Sequence, residues 1–172
     1  MANDTKYPTL ISFITPMVAT SDRGAALDHR LLRDGGFEAV LSMEPVNLEG
    51  LAVHHLYLDV VDRVPLPFPM IDAAVAFIED HVSQGRRVLV HCEMGISRSP
   101  SLAVCYLHQS QGMTIDAAIA YVKSVRPTAD PHPELIGSIR AFYAKNSGRI
   151  GVEGTGCRAA QAGASIDPDG RK

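Results

Sequence analysis

The sequence lacks the segments that mark membrane and secreted proteins. Its 172 residues hold no continuous apolar run of about 18 residues, the length that a membrane-spanning helix needs. The first ten residues, MANDTKYPTL, lack the basic and then apolar pattern of a secretory signal. Only three cysteines are present (Cys92, Cys105 and Cys157), and three cannot all pair within one chain. We therefore expect a cytoplasmic protein without a disulfide framework.

The sequence also lacks an excess of positive charge. Its formal net charge is -3, which argues against a general affinity for nucleic acid or for anionic membranes. His81, His108 and His132 do not have the spacing of metal ligands, and we expect neither a metal nor another cofactor. The composition, with 46% hydrophobic and 20% charged residues, is that of a soluble globular protein. The length suits one domain with its own core, which we expect to be monomeric.

Strand and helix patterns alternate along the chain. Short apolar or β-branched runs predict strands at 9–14, 37–43, 51–58 and 87–91. Apolar residues at helical spacing predict a short helix capped by Asp28, helices at 70–84 and 99–111, a helix between Thr114 and Pro127, and a last helix at 133–145. This alternation indicates the α/β class, with a central, mostly parallel sheet of about five strands flanked by helices.

The two ends of the chain differ from the part between them. Residues 1–8 form a loose leader in this prediction, and the folded domain covers 9–145. The segment 146–172 holds six of the 14 glycines and few large apolar residues. Such a segment buries too little apolar surface to offset the entropy lost on ordering, so we expect it to be disordered.

The stretch VLVHCEMGISRSP, residues 88–100, carries the chemistry. A buried strand leads to Cys92, and a helix begins near Arg98, so Cys92 lies at the carboxyl edge of the sheet, where ligands of such folds bind. The backbone N–H groups between them have no strand to pair with. Together with the N-terminus of the helix they form an anion site, and Gly95 permits a backbone conformation that a side chain would resist.

Three side chains of this stretch suit phosphoryl transfer. The oriented N–H groups and the Arg98 guanidinium favour the thiolate form of Cys92, which is the nucleophilic form. Arg98 can bind two phosphate oxygens at once, and those oxygens carry the charge of the transition state. Ser99 can donate a hydrogen bond to the Cys92 sulfur and make it a better leaving group. We therefore expect Cys92 to attack the phosphorus of a phosphomonoester.

The segment HCEMGISRS resembles the HCxxGxxR[ST] loop of the protein tyrosine phosphatase superfamily. From Leu27 to Phe142 the chain is similar to the dual-specificity branch of this superfamily. The similarity includes RRVLV before the loop, RSPSLAVCYL after it and IDAAIAYVKSVRP further on. The resemblance implies that superfamily's fold, a cysteinyl-phosphate intermediate, and a loop-positioning role for His91 through hydrogen bonds. It implies phosphate binding by the loop residues Glu93, Met94, Gly95, Ile96, Ser97 and Arg98.

The resemblance also implies a general acid on a separate loop, because the leaving oxygen needs a proton. The segment from Asp59 to Pro69 contains three prolines and is predicted to be that loop. Asp62 lies 15 residues before Phe77, which is close to the family spacing, and it is the favoured acid. Asp59 directly follows a predicted strand and could instead be the acid, or it could brace the loop. A third alternative is that both are solvated loop carboxylates.

The variable loop positions bear on the substrate. Glu93, Met94, Ile96 and Ser97 include no lysine or arginine, whereas family members that act on phosphoinositides tend to have basic residues there. We expect phosphorylated proteins as substrates, phosphotyrosine first and phosphoserine or phosphothreonine second. Two alternatives remain open: a phosphatase of lipid, glycan or small-molecule phosphates on the same fold, and an inactive phosphate-binding module.

Two further predictions concern residues outside the loop. His54 and His55 are adjacent in a predicted strand, so their side chains point to opposite faces of the sheet. Cys105 lies on the helix after the loop and is predicted to fill the core.

Overall fold

The computed structural model describes residues 11–146. The predicted leader, the predicted tail beyond residue 146 and Cys157 lie outside the described residues. Five strands and six helices follow one another in the described part. The strands are β1 (Ser12–Phe13), β2 (Val18–Ser21), β3 (Phe37–Ser42), β4 (His54–Tyr57) and β5 (Arg87–His91). The helices are α1 (Arg23–Leu27), α2 (His29–Asp34), α3 (Phe68–Ser83), α4 (Arg98–Gln111), α5 (Ile115–Val125) and α6 (Pro133–Asn146).

The strands form one sheet in the order β1-β2-β5-β3-β4. Strands β2, β5, β3 and β4 run parallel, and β1 pairs with β2 antiparallel. The prediction of an α/β fold with a mostly parallel sheet of about five strands is confirmed. Strand β5 lies at the centre, and four of its five residues are buried, as its apolar sequence requires. The carboxyl end of β5 is therefore flanked by those of β2 and β3.

The N-terminal part differs from the predicted single strand at 9–14. Among the described residues the strand covers only Ser12–Phe13, and the chain turns at Pro16 into β2, which was not predicted. The Thr15 hydroxyl accepts hydrogen bonds from the N–H groups of Met17 and Val18, which stabilises this turn. Strand β2 has the sequence VATS, too short and too polar to stand out by pattern. Its position in the sheet comes from pairing with β5.

Side-chain caps set several helix ends. The Asp28 carboxylate accepts hydrogen bonds from the N–H groups of Arg30 and Leu31 at the start of α2, as predicted. The Thr114 hydroxyl accepts from Ala117 N–H at the start of α5, which confirms a second predicted cap. A further helix, α1, was not predicted; Asp22 caps it by accepting from Ala25 N–H. Helix α1 follows β2 directly, so the missed strand and the missed helix form one unit.

The two faces of the sheet are covered unequally. Helices α3, α4, α5 and α6 contribute to the larger hydrophobic core on one face. Helices α1 and α2 contribute to a smaller core on the other face, with Val40 and Leu89 from the sheet. Cys105 is fully buried in the larger core, as predicted. None of the helices within residues 11–146 is long and apolar enough to cross a membrane.

Substitutions at Ile78 test how α3 packs on the sheet. Its side chain is fully buried in the larger core. Ile78→Ala is expected to lower the free energy of unfolding by about 2–5 kcal/mol, because it removes buried methyl groups and leaves a cavity. The matched change Ile78→Val is expected to lower it by only about 0.5–1.5 kcal/mol. Urea unfolding followed by circular dichroism measures both; equal small losses would contradict this packing.

Candidate active site

Cys92 lies between the carboxyl end of β5 and the first residue of α4. Its side chain is buried, and its sulfur accepts a hydrogen bond from the Gly95 N–H at 3.2 Å. The Ser99 hydroxyl lies 3.4 Å from the same sulfur and 3.3 Å from the carbonyl oxygen of Ser21. Gly95 belongs to the predicted phosphate-binding loop, and Ser99 is the predicted donor to the sulfur; its one proton can go either to the sulfur or to the Ser21 carbonyl oxygen. The surroundings of the sulfur can therefore stabilise negative charge on it.

Gly95 gives the loop its shape. Its φ of +65° lies in the left-handed region, which disfavours any residue with a Cβ atom. A Cβ atom there would lie 2.8 Å from the carbonyl carbon and oxygen of Ser21, and it would also collide with the Arg126 side chain. The site therefore needs glycine for its backbone angle and also for lack of space.

Arg126 holds this loop from behind, and sequence analysis missed it. Its side chain is buried, its Nε donates to the Gly95 carbonyl oxygen at 2.6 Å, and its Nη1 donates to the Ser12 hydroxyl at 3.3 Å. Burial lowers the pKa of Arg126, while Asp22 and Cys92 act in the opposite direction. The sequence VRP at the end of α5 predicts only where a helix ends. It gives no indication that Arg126 packs beneath the loop.

The Arg98 guanidinium is held on one side by three oxygen atoms. Its Nη1 donates to the carbonyl oxygens of Met43 at 3.2 Å and Val60 at 3.1 Å. It also forms an ion pair with Glu44, whose Oε1 is 2.5 Å away. Glu44 follows β3 and was not predicted as a site residue. These contacts fix one end of the guanidinium, and among residues 11–146 they leave its other N–H groups for a ligand.

A cleft of about 340 Å³ opens above Cys92. Three chain segments line it: Asp62 and Arg63 after β4, the loop residues Cys92, Glu93, Met94, Ile96, Ser97 and Arg98, and Asp130, His132 and Pro133 at the start of α6. Most of the residues predicted from the sequence thus meet in one place. Gly95, Ser99 and His91 lie behind the cleft and do not line it. Sequence analysis missed the contribution of the segment 130–133, because tertiary packing alone brings it there.

Asp62 and Asp59 have different surroundings. Asp62 lines the cleft, and its Oδ1 accepts hydrogen bonds from the Ser97 hydroxyl at 2.7 Å and from the Arg63 N–H at 3.0 Å. Asp59 does not line the cleft and accepts a longer bond of 3.4 Å from the Tyr57 hydroxyl. Of the two candidate acids, Asp62 is the one that shares the cleft with Cys92 and Arg98.

Glu93 and Met94 form part of the cleft's rim. The Glu93 side chain is about half exposed, and its carboxylate lies 3.9 Å from the Arg23 guanidinium. Met94 is 50% exposed. Ser97 lies deeper and also accepts a hydrogen bond from the His132 N–H, which joins the loop to the segment before α6. The rim thus presents one carboxylate and one apolar side chain from the phosphate-binding loop.

His91 is fully buried directly before Cys92. Its Nε2 lies 2.7 Å from the Ser42 hydroxyl, on the neighbouring strand β3. Burial lowers the pKa of His91 to about 4, although the Cys92 backbone and Glu44 favour the protonated ring. The ring is therefore neutral near pH 7 and unsuited to carry charge. A positioning role for His91 stays a prediction that agrees with this burial.

The histidines of β4 point to opposite faces of the sheet, as predicted. The His54 ring contacts the His81 ring at 4.7 Å between centroids, whereas His55 Nε2 lies 2.8 Å from the Ser42 hydroxyl. Within residues 11–146, no group of three His, Cys, Asp or Glu side chains is placed to hold a metal ion.

Comparison with known sequences finds one family. Residues 32–145 match the sequence profile described as "Dual specificity phosphatase, catalytic domain". The chain is 32% identical over 130 residues to Dual specificity protein phosphatase 2 of Mus musculus, covering 73% of this chain and 41% of the relative. It is 42% identical over 82 residues to Dual specificity protein phosphatase 1 of Arabidopsis thaliana, covering 47% and 41%. The chain therefore spans less than half the length of either relative.

Comparison with solved structures supports the same fold. The crystal structure of human DUSP28 superposes with a TM-score of 0.75 and covers 82% of this chain and 97% of that chain. The sequence identity is 23%, so this likeness concerns the fold.

Gly95→Ala tests how the loop is shaped, with Gly112→Ala as the matched control. Both glycines have a left-handed backbone, with φ of +65° and +68°, but only Gly95 has neighbours within 4 Å of an added Cβ. Gly112→Ala is expected to lower the free energy of unfolding by roughly 1–2 kcal/mol, the cost of the backbone angle. Gly95→Ala is expected to lower it further, because the added methyl group meets the Ser21 backbone. Urea unfolding measures both, and equal losses would refute the steric part of this account.

Proposed function

The chain belongs to the dual-specificity phosphatase family, and we propose that it is a cysteine-dependent phosphatase that removes phosphate from phosphorylated proteins. The observation that carries this proposal is the shared cleft. Cys92 and Arg98, at the two ends of one loop, line the same space as Asp62, which comes from a separate loop 30 residues earlier in the chain. They are a nucleophile, a phosphate ligand and an acid, the three groups that metal-independent phosphoryl transfer requires.

In the first step the Cys92 thiolate attacks phosphorus. The sulfur–phosphorus bond forms as the bond to the ester oxygen breaks, and Asp62 gives its proton to that leaving oxygen. Arg98 binds two of the equatorial phosphate oxygens through the N–H groups that Met43, Val60 and Glu44 do not occupy. The product is cysteinyl-phosphate and a free hydroxyl group on the substrate.

In the second step water attacks the phosphorus of the cysteinyl-phosphate. The Asp62 carboxylate accepts a proton from this water, and the sulfur leaves as a thiolate. The Gly95 N–H, 3.2 Å from the sulfur, stabilises the charge that returns to it. The Ser99 hydroxyl, 3.4 Å from the sulfur, does the same once its single proton turns from the Ser21 carbonyl oxygen to the sulfur. The Ser97 hydroxyl binds one oxygen of Asp62 and orients the carboxylate, which leaves the second oxygen to exchange protons.

Several features of the rim support a protein substrate. The loop positions 93–97 contain no lysine or arginine, and Glu93 at the rim repels a polyanionic head group. Met94 offers an exposed apolar side chain that suits the ring of phosphotyrosine. The two curated relatives described above are both named dual specificity protein phosphatases. We therefore propose phosphotyrosine as the preferred substrate residue, followed by phosphoserine or phosphothreonine.

Cys92→Ser tests the nucleophile. Wild-type protein is expected to hydrolyse para-nitrophenyl phosphate in the presence of EDTA, and Cys92→Ser is expected to lose all measurable activity, because a serine hydroxyl at this site is not ionised. Cys105→Ser, at a buried cysteine away from the cleft, is the control that should keep activity if it folds. Equal activity in the Cys92 variant and the wild type would exclude the mechanism. A folded, reduced wild type without activity would favour the phosphate-binding module.

Comparing the activity of Asp62→Asn with that of Asp59→Asn tests which residue is the general acid. With a phosphoserine peptide, Asp62→Asn is expected to lower kcat by roughly 10²–10⁴-fold, since the alkoxide leaving group needs a proton. With para-nitrophenyl phosphate the rate of the first step should fall less, because the para-nitrophenolate leaving group is stable without a proton. Asp59→Asn is expected to stay close to wild type.

The opposite ranking of the two variants would assign the acid to Asp59.

Measuring wild-type kcat/KM on phosphotyrosine peptides and on a phosphoinositide tests the substrate class. A higher value on the phosphoinositide would favour the lipid phosphatase alternative.

A further inference from the structure

The Ser42 hydroxyl bridges two histidine rings. Ser42 is the last residue of β3, is fully buried, and stands in register with His91 on β5. Its oxygen lies 2.7 Å from Nε2 of His91 and 2.8 Å from Nε2 of His55. His55 is exposed, so the three side chains connect the residue before Cys92 with the protein surface.

The number of protons restricts how this bridge is bonded. A hydroxyl has one proton and two lone pairs, so it can donate to only one ring, and at least one of the two rings must donate to the hydroxyl oxygen. Loss of contact with water on its Ser42 side lowers the pKa of His55, and full burial lowers that of His91 to about 4, so the neutral forms dominate near pH 7. Each neutral ring carries one N–H. The two rings therefore cannot choose their tautomers independently.

The surroundings of His91 favour the arrangement in which its ring accepts the Ser42 proton. Its second nitrogen, Nδ1, is buried without a well-aligned partner among the described residues. Ser42 occupies Nε2, so Nδ1 is the nitrogen that can face the Cys92 backbone. Contact with that backbone raises the pKa of His91, as an acceptor facing the ring would. In the matching arrangement His91 carries its proton on Nδ1, Ser42 donates to His91 Nε2, and His55 Nε2–H donates to Ser42.

We propose that His55 is a positioning residue for the nucleophile loop, which acts through Ser42 to hold His91 in the Nδ1–H tautomer beside Cys92. Without the donor at His55 the Ser42 proton is free to turn away, and His91 can place its proton on Nε2. The ring then loses its interaction with the Cys92 backbone. The effect on reaction rate rests on the proposed phosphatase function, whereas the tautomer of His91 does not depend on it.

The experiment is nitrogen-15 NMR of the histidine rings, because ring nitrogen shifts distinguish the two neutral tautomers. In wild type at pH 7, His91 is expected to show the Nδ1–H form. His55→Phe removes the donor and is expected to shift His91 to a mixture or to the Nε2–H form. Ser42→Ala removes the bridge and is expected to do the same. His54→Phe is the matched control, since it alters the adjacent histidine on the opposite face and keeps a ring against His81.

Kinetics supply a second, separate readout. His55→Phe is expected to lower kcat for para-nitrophenyl phosphate by about tenfold, the worth of one hydrogen bond, with little change in KM. His55→Gln, whose amide can donate to Ser42, is expected to restore most of the rate. His55→Phe in the Ser42→Ala background should cause no further loss, because both changes break the same connection.

Three results would overturn the positioning role. One is an Nε2–H tautomer of His91 in wild type, and another is an unchanged tautomer in a folded His55→Phe variant. The third is full additivity of the His55 and Ser42 changes in kcat. A protein without phosphatase activity that still shows the tautomer change would refute the proposed function and leave the coupling of His55 to His91 intact.

Discussion

The hydrogen bond from Arg126 to the carbonyl oxygen of Gly95 is the constraint on which the site depends. Gly95 has a left-handed backbone and leaves no room for a Cβ atom beside Ser21; its carbonyl oxygen accepts from Arg126, and its N–H donates to the Cys92 sulfur. A buried guanidinium costs solvation free energy unless its N–H groups are bonded, and the loop carbonyl and Ser12 bond two of them. The contact thus stabilises the charge of Arg126 and the shape of the loop together.

The rest of the site follows from the order of the strands. Because β2, β5 and β3 are parallel neighbours, their carboxyl ends supply groups to one edge of the sheet: Ser21 behind the loop, Cys92 at its start, and Met43 with Glu44 against Arg98. The segment from Asp59 to Pro69, after β4, adds Asp62 to the same edge. This is the general position of ligands in parallel sheets, and here it brings together Cys92, Arg98 and Asp62, the proposed nucleophile, phosphate ligand and acid.

The chemistry near Cys92 could be predicted from the sequence because it is local. Six positions separate Cys92 from Arg98, and a strand, a glycine turn and a helix N-terminus in that order leave little choice of shape. The longer helices, the sheet class and the caps at Asp28 and Thr114 were predicted for the same reason. Other parts of the site could not be predicted from the sequence, because only contacts with distant parts of the chain give them a role. These are strand β2, with the sequence VATS, and the residues Ser42, Glu44 and Arg126.

The most direct test of the account is to trap the phosphoryl group on the enzyme. Asp62→Asn should still react with para-nitrophenyl phosphate in the first step but should hydrolyse the intermediate slowly, because water then lacks its base. Quenching this variant in denaturant during turnover, followed by peptide mass spectrometry, should find a phosphoryl group on the peptide that contains Cys92, and none in Cys92→Ser. A phosphoryl group on any other residue, or turnover without a labelled Cys92 at any time point, would contradict the central claim.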